Sequence, residues 1–221
     1  MSVLLTAEYG VENIVKSFGG AKALAGVSLT VKGGEVHCIA GENGSGKSTF
    51  SKILTTLYHP TAGHVLINGR DKKFYNEETV KDKILLVTNE DILFNDSLYN
   101  NIALGKEISI ERILDLAEQI NLYAFIAGKD EGLEFIINEN GKNLSTGQRK
   151  KILLLRALFA DAELIILDEV LSGMDNESRD KVEALINTDQ SKTYIIISHE
   201  PIHHIQFNST YKISDGELFV L

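Results

Sequence analysis

The chain has 221 residues, 43% of them hydrophobic and 24% charged, and a formal net charge of −9; this composition supports one sizeable buried core and argues against disorder. The acidic balance disfavours nucleic-acid phosphate or an anionic membrane surface as the main partner, because binding either requires a concentrated cationic face. A single cysteine, Cys38, allows neither an internal disulfide nor a cysteine metal site, which fits a reducing compartment.

Residues 1–8 lack the basic start and long apolar stretch of a secretory signal. Short alternating stretches over residues 11–31, punctuated by Gly19-Gly20 and Gly33-Gly34, predict antiparallel strands, and residues 64–74 around Asn68-Gly69 predict a further hairpin. Four β-branched runs, at 36–40, 84–87, 164–167 and 194–197, are apolar nearly throughout, the pattern of strands buried on both faces of a parallel sheet. Cys38 lies in the first of these and is expected to be a small core residue. Helical patterns fall between the runs: residues 47–57, and residues 145–159 with Ile152, Leu155 and Phe159 on one side and Arg149-Lys150-Lys151 expected on a solvated face. From about 91 to 140 the pattern is mainly helical, including 109–120, where Ser109 precedes an apolar face of Ile113, Leu116, Ala117 and Ile120.

The longest apolar segments fall short of the ~18 to 20 residues that span a bilayer, so a soluble chain is expected. Two prolines, no Ser- or Gly-rich linker and no internal repeat point to one continuous domain over residues 1–221. Its expected class is α/β: a mainly parallel core sheet with an antiparallel β flank, from about 1–90 and 141–221, and a helical subdomain at about 91–140. No appended domain is expected after Leu221.

Gly41-Glu42-Asn43-Gly44-Ser45-Gly46-Lys47-Ser48-Thr49 matches the phosphate-loop pattern G-x-x-x-x-G-K-[ST], directly after a buried strand and at the start of a helix. Its glycines let successive backbone N–H groups turn inward to phosphate oxygens, and the helix N-terminus adds partial positive charge. Lys47 is placed to reach the β- and γ-phosphates and the Ser48 hydroxyl to ligate Mg²⁺. Asp168 and Glu169 close the apolar run 164–167, at the strand end where ligand chemistry belongs in a parallel sheet. Asp168 suits Mg²⁺ and Glu169 suits a general base for water; alone, the pair also fits an acidic turn or a helix cap.

Leu144-Ser145-Thr146-Gly147-Gln148 resembles the L-S-G-G-Q signature of ATP-binding cassette (ABC) proteins, although read alone it is also a good helix cap. The resemblance runs from Phe18 to the last strand. It implies a P-loop NTPase fold of the ABC type, ATP and Mg²⁺ as cofactors, and a head-to-tail dimer with a second copy or a related ABC subunit. It also implies a cytoplasmic position at the inner face of a membrane, held there by a transmembrane partner in the same or another chain. In the residues that match, Phe18 would stack on adenine, and Gly41, Asn43, Gly44, Ser45, Gly46, Lys47, Ser48 and Thr49 would hold the phosphates. Mg²⁺ would be held by Ser48, Asp168 and Asn89, Glu169 would act on water, and His199 would clamp the γ-phosphate. Ser145, Gly147 and Gln148 would meet the nucleotide of the opposite subunit, and Asp175, in Ser172-Gly173-Met174-Asp175, would cross the interface. Phe18 also reads as an ordinary core residue, and His199 as a structural histidine at a strand end.

Two departures stand out. Asn89 occupies the place of the family's glutamine between the lobes and is one methylene shorter. Thr146 replaces the first signature glycine with a β-branched residue, which is expected to weaken closure on ATP. The subfamily signal is mixed: residues 18–52 look like sugar-importer ATPases, while Leu93 to Leu98 and Glu139-Asn140-Gly141 look like exporters. The expected function is the ATP-hydrolysing motor of a transporter. Two other readings remain: a non-transport cassette of DNA repair or translation, disfavoured by the lack of a long coiled-coil insertion or second cassette, and a regulatory cassette that binds ATP with little hydrolysis. The adjacent His203 and His204 read as solvated surface, and no metal beyond nucleotide-bound Mg²⁺ is expected.

Overall fold

The computed structural model describes residues 7–221; most of the N-terminal stretch read above for a targeting signal lies outside them. The chain opens with a long hairpin, β1 (Glu8–Phe18) and β2 (Ala21–Lys32), turned by Gly19 and Gly20 at φ 54° and 94°, a conformation glycine adopts without steric cost. Then come β3 (Val36–Ala40), α1 (Lys47–Leu54), a second hairpin of β4 (Ala62–Ile67) and β5 (Arg70–Asp71), α2 (Glu77–Lys83) and β6 (Ile84–Thr88). Helix α1 stops short of the expected residue 57, because Thr55 caps it and Thr56 turns left-handed at φ 66°.

The middle of the chain holds β7 (Asp96–Ser97), α3 (Leu98–Ala103), α4 (Ile110–Gln119), α5 (Tyr123–Ala127) and β8 (Ile136–Ile137). Ser97 and Ser109 cap α3 and α4 by accepting backbone N–H bonds three residues on. The β7–β8 pair is a small antiparallel ribbon inside the segment read as helical; two-residue strands are too short to show a period of two. The last third is α6 (Thr146–Leu158), β9 (Leu164–Asp168), α7 (Asn176–Thr188), β10 (Thr193–Ser198), β11 (Ser209–Ser214) and β12 (Glu217–Val220).

The strands build two main sheets. One is antiparallel in the order β2-β1-β4-β5; the other runs β12-β11-β3-β10-β9-β6 and is parallel apart from the β11–β12 hairpin. Alternation along the central strands divides the core in two. Ile165, Leu167, Tyr194 and Ile196 face the cluster shared with α4, α6 and α7, whereas Leu164, Ile166, Ile195 and Ile197 face the cluster shared with α1 and the antiparallel sheet. Both faces are thus covered, which is why these strands read as unbroken apolar runs. Cys38 is buried as expected, and burial pushes its thiol up to about 11.

The solvated face expected on α6 is not there. Lys150 and Lys151 are each only 7% exposed. Their stems pack into the core while the ammonium groups find carbonyls, Lys150 at Ser172 O and Lys151 at Asn121 O, 2.9 Å away. Arg149 is partly buried too, bridging Asn89 O and Asn140 Oδ1. Among the described residues, no helix is long and apolar enough to cross a membrane.

Candidate functional site

The phosphate loop joins β3 to α1 at the C-terminal edge of the parallel sheet. Two of its glycines are sterically required. A Cβ at Gly41 would lie 2.6 Å from Ile213 O and 2.7 Å from Ser45 Oγ; a Cβ at Gly46, whose φ is 111°, would lie 2.5 Å from Ala23 O. The loop therefore packs tightly against β2 and β11. Lys47 folds back over it, its Nζ donating to Gly41 O at 2.5 Å and Glu42 O at 3.0 Å. An ammonium spanning the loop in this way sits where an incoming phosphate would meet it. A cleft of about 190 Å³ is lined by Asn43, Gly44, Gly46, Lys47, Ser48 and Thr49 and closed by Glu169.

Asp168, the last residue of β9, is buried beneath this cleft. Burial raises its carboxyl above the usual carboxylate range, against the hydrogen bonds of Ser48 and Ser51. Ser51 Oγ donates to Oδ2 at 3.1 Å, while Oδ1 is buried with no hydrogen-bond partner. A buried carboxylate oxygen left unpaired is costly. With the Ser48 hydroxyl beside it, this all-oxygen donor set fits a hard divalent cation.

Glu169 leaves the strand at φ 59°, an unusual conformation for a non-glycine residue, held by its N–H on Ile197 O at 3.0 Å. Its Oε2 accepts from Ser172 Oγ at 2.7 Å and is 2.7 Å from His199 Nδ1. Asn89 joins the group: its Nδ2 donates to Glu169 O at 3.1 Å. Lys47, Ser48, Asp168, Glu169, His199 and Asn89, separated by up to 152 positions in sequence, are in this way gathered at one edge of one sheet.

The other candidates stand apart from the cleft. Ser145 caps α6 in a reciprocal capping box: its Oγ accepts from Gln148 N, and Gln148 Oε1 accepts from Ser145 N. Ser145 and Thr146 are exposed. Asp175 caps α7 and accepts from Ser178. Phe18 is not a core residue: it is 46% exposed at the end of β1, edge-on to Tyr58 with ring centroids 5.6 Å apart, and Lys16 Nζ lies 5.0 Å from its centroid. His203 and His204 are exposed.

The sequence reading missed three supports of this cluster. Ser51, one turn past Lys47, braces Asp168; Ser172 braces Glu169; and Arg179 pairs with Glu200, beside His199, at 2.6 Å. Ser51 lay four positions after Lys47 on the same helix face, which was a usable signal. Nothing local marked Arg179, because its partner is 21 residues away.

The family model described as ABC transporter matches residues 24–172. The ATP-dependent lipid A-core flippase of Francisella tularensis subsp. holarctica (strain OSU18) is 36% identical over 213 residues, which make up 95% of this chain and 35% of the flippase. The flippase of the same description from Salmonella typhimurium is 34% identical over 216 residues, 96% of this chain and 37% of the relative. A bacterial Atm1-family ABC exporter solved with ATP bound matches 98% of this chain with a TM-score of 0.90 at 25% identity, and 39% of that exporter is covered. The chain therefore spans little more than a third of the length of these relatives. By its family match, and with the fold it shares with the exporter, the chain belongs to the ABC transporter family, as an ATP-binding ATPase domain.

Proposed function

We propose that the chain is the Mg-ATP-driven motor of an exporter-type membrane transporter and works as a head-to-tail dimer with two nucleotides between the subunits. The observation that carries this reading is Glu169, braced by Ser172 and His199 at the mouth of the phosphate-loop cleft. Lys47 and the loop amides bind the β- and γ-phosphates, and Ser48 and Asp168 would hold Mg²⁺, with Asn89 beside them. When bound, Mg²⁺ neutralises phosphate charge. Ser172 and His199 both engage Oε2 of Glu169, which leaves Oε1 to take a proton from the attacking water. His199, tethered through Nδ1, offers its other ring nitrogen to the γ-phosphate. Phe18, exposed and flanked by Tyr58, offers a face to adenine. Ser145, Gly147 and Gln148 act on the nucleotide of the opposite subunit, and Asp175 lies at the interface.

In this reading the nucleotide-binding core is formed by about 1–90 and 141–221, and the helical subdomain by about 91–140. The exposed side chains of Ile92 and Phe94, at 62% and 54%, lie just past Asn89 in sequence and suit a helix of a transmembrane partner, which would hold the chain at the cytoplasmic face of the membrane. The similarity to flippases and an exporter favours outward transport. A regulatory cassette with little turnover is the second reading, favoured by the side chain of Thr146 exposed at the first position of α6.

The test is Glu169→Gln. The variant is expected to bind ATP as the wild type does and to run as a stable dimer in size-exclusion chromatography with Mg-ATP. A variant that binds ATP and stays monomeric contradicts the dimer.

A further inference from the structure

We propose that Lys150 is a positioning residue that ties the signature helix to the Glu169 carboxylate of its own chain, so that seating α6 on the opposite subunit's nucleotide and orienting Glu169 become one event. This inference rests on the motor reading above.

The geometry is a continuous chain of polar contacts. Lys150 sits one turn into α6, three residues past Gly147, and its ammonium donates to Ser172 O. Ser172 Oγ donates to Glu169 Oε2 at 2.7 Å, and that oxygen is 2.7 Å from His199 Nδ1. Lys150, on one side of the site, thus grips the backbone of the residue whose side chain aims the carboxylate.

Packing alone gives no reason for a lysine here. The next four residues of α6, Ile152 to Leu155 after Lys151, are all buried and apolar, and burying an ammonium carries a desolvation cost that an apolar side chain avoids. That burial pulls the Lys150 ammonium down from its ordinary range, while the charges of Glu200 and Glu169 act to hold it up. A lysine thus stands at a desolvation cost within the field of Glu169 and Glu200. Glu169 also needs external holding, because its left-handed backbone persists only where its surroundings fix it. That backbone is held by the Glu169 N–H on Ile197 O, and the side chain it projects is held by Ser172, three residues later on a half-buried loop whose carbonyl has Lys150 as its anchor.

The test uses Lys150→Met, Ser172→Ala and the double variant in the 221-residue chain, measuring steady-state Mg-ATP turnover together with thermal midpoints. Each single variant is expected to lower kcat by between about tenfold and a hundredfold, as expected for small misplacements of a reacting group. KM for ATP should move by less than about twofold, because no phosphate contact is removed. The double variant should be no slower than the slower single, since both cut one chain of contacts. A wild-type kcat in Lys150→Met, or single effects that multiply in the double variant, overturns the relay. If Lys150→Met does not fold, Ser172→Ala carries the test, and an unchanged kcat there overturns it. The wild type separates the two claims: no turnover in the wild type sinks the motor reading and the relay with it, whereas an active wild type beside an equally active Lys150→Met sinks the relay alone.

Discussion

Gly46 and Gly44 share one loop and a left-handed backbone, at φ 111° and 80°, but differ in what surrounds them. A Cβ at Gly46 strikes Ala23 O, whereas a Cβ at Gly44 meets nothing within 4 Å. Gly44→Ala should therefore cost only the backbone strain, about 1 to 2 kcal/mol. Gly46→Ala adds a collision with backbone that cannot swing away, and should cost clearly more, at least about 3 kcal/mol. Urea midpoints of the two variants check this; equal losses would mean the contact with β2 is not as tight as drawn. The sequence reading rested both glycines on phosphate approach, and the pressure of β2 on Gly46 was invisible to it, since Ala23 is an unremarkable residue in another element. Chemistry-bearing residues were far more legible. Asp168 and Glu169 announced themselves by interrupting an apolar run, and Phe18 stood out only through the family resemblance, because an isolated phenylalanine near a glycine turn reads equally well as core.

At the scale of an element, α6 shows both the reach and the limit of periodicity. Its start was readable from Ser145 and Gln148, and the reciprocal cap is present. Its charged face was misread, because lysine stems bury readily when carbonyls await their ammonium groups, and no window of a single helix shows Ser172 or Asn121 on the other side. Ser145→Ala should destabilise the fold by about 1 kcal/mol through loss of the cap. Thr146→Gly tests the departure from the family signature. At the first helical position it should cost no more than about 0.5 kcal/mol of stability, yet it removes the β-branched side chain from the surface that would meet the partner's phosphate. ATP-dependent dimerisation should strengthen in that variant; dimerisation unchanged or weakened would show that Thr146 does not impede closure.

Across the whole molecule, the two sheets are joined by a small polar network. Tyr9 of β1 donates to Glu163 Oε2 at 2.6 Å, and Lys83 at the end of α2 donates to Oε1 at 2.7 Å, just ahead of β9. Burial pushes the Glu163 carboxyl up, but the bonds from Lys83 and Tyr9 and the charge of Lys83 outweigh it, so its folded pKa lies below the ordinary value. The unfolded chain, with a glutamate pKa of about 4.3, then binds more protons than the folded one in the window below that value. Stability from this group is present above it and is lost as pH falls through the lowered folded pKa. Glu163→Gln should accordingly lower the urea midpoint at pH 7 and flatten its fall between pH 5 and 3 relative to the wild type; parallel curves would contradict the role of the network. Joins of this kind were hidden in the sequence, where residues 9, 83 and 163 have no common signal, while the division into parallel and antiparallel sheets was plain from unbroken against alternating runs. The most direct test of the account is Mg-dependent ATP hydrolysis as a function of protein concentration, wild type beside Glu169→Gln. A two-chain motor built on Glu169 gives turnover that rises cooperatively with concentration and vanishes in the variant; turnover linear in protein, or equal in the variant, would contradict it.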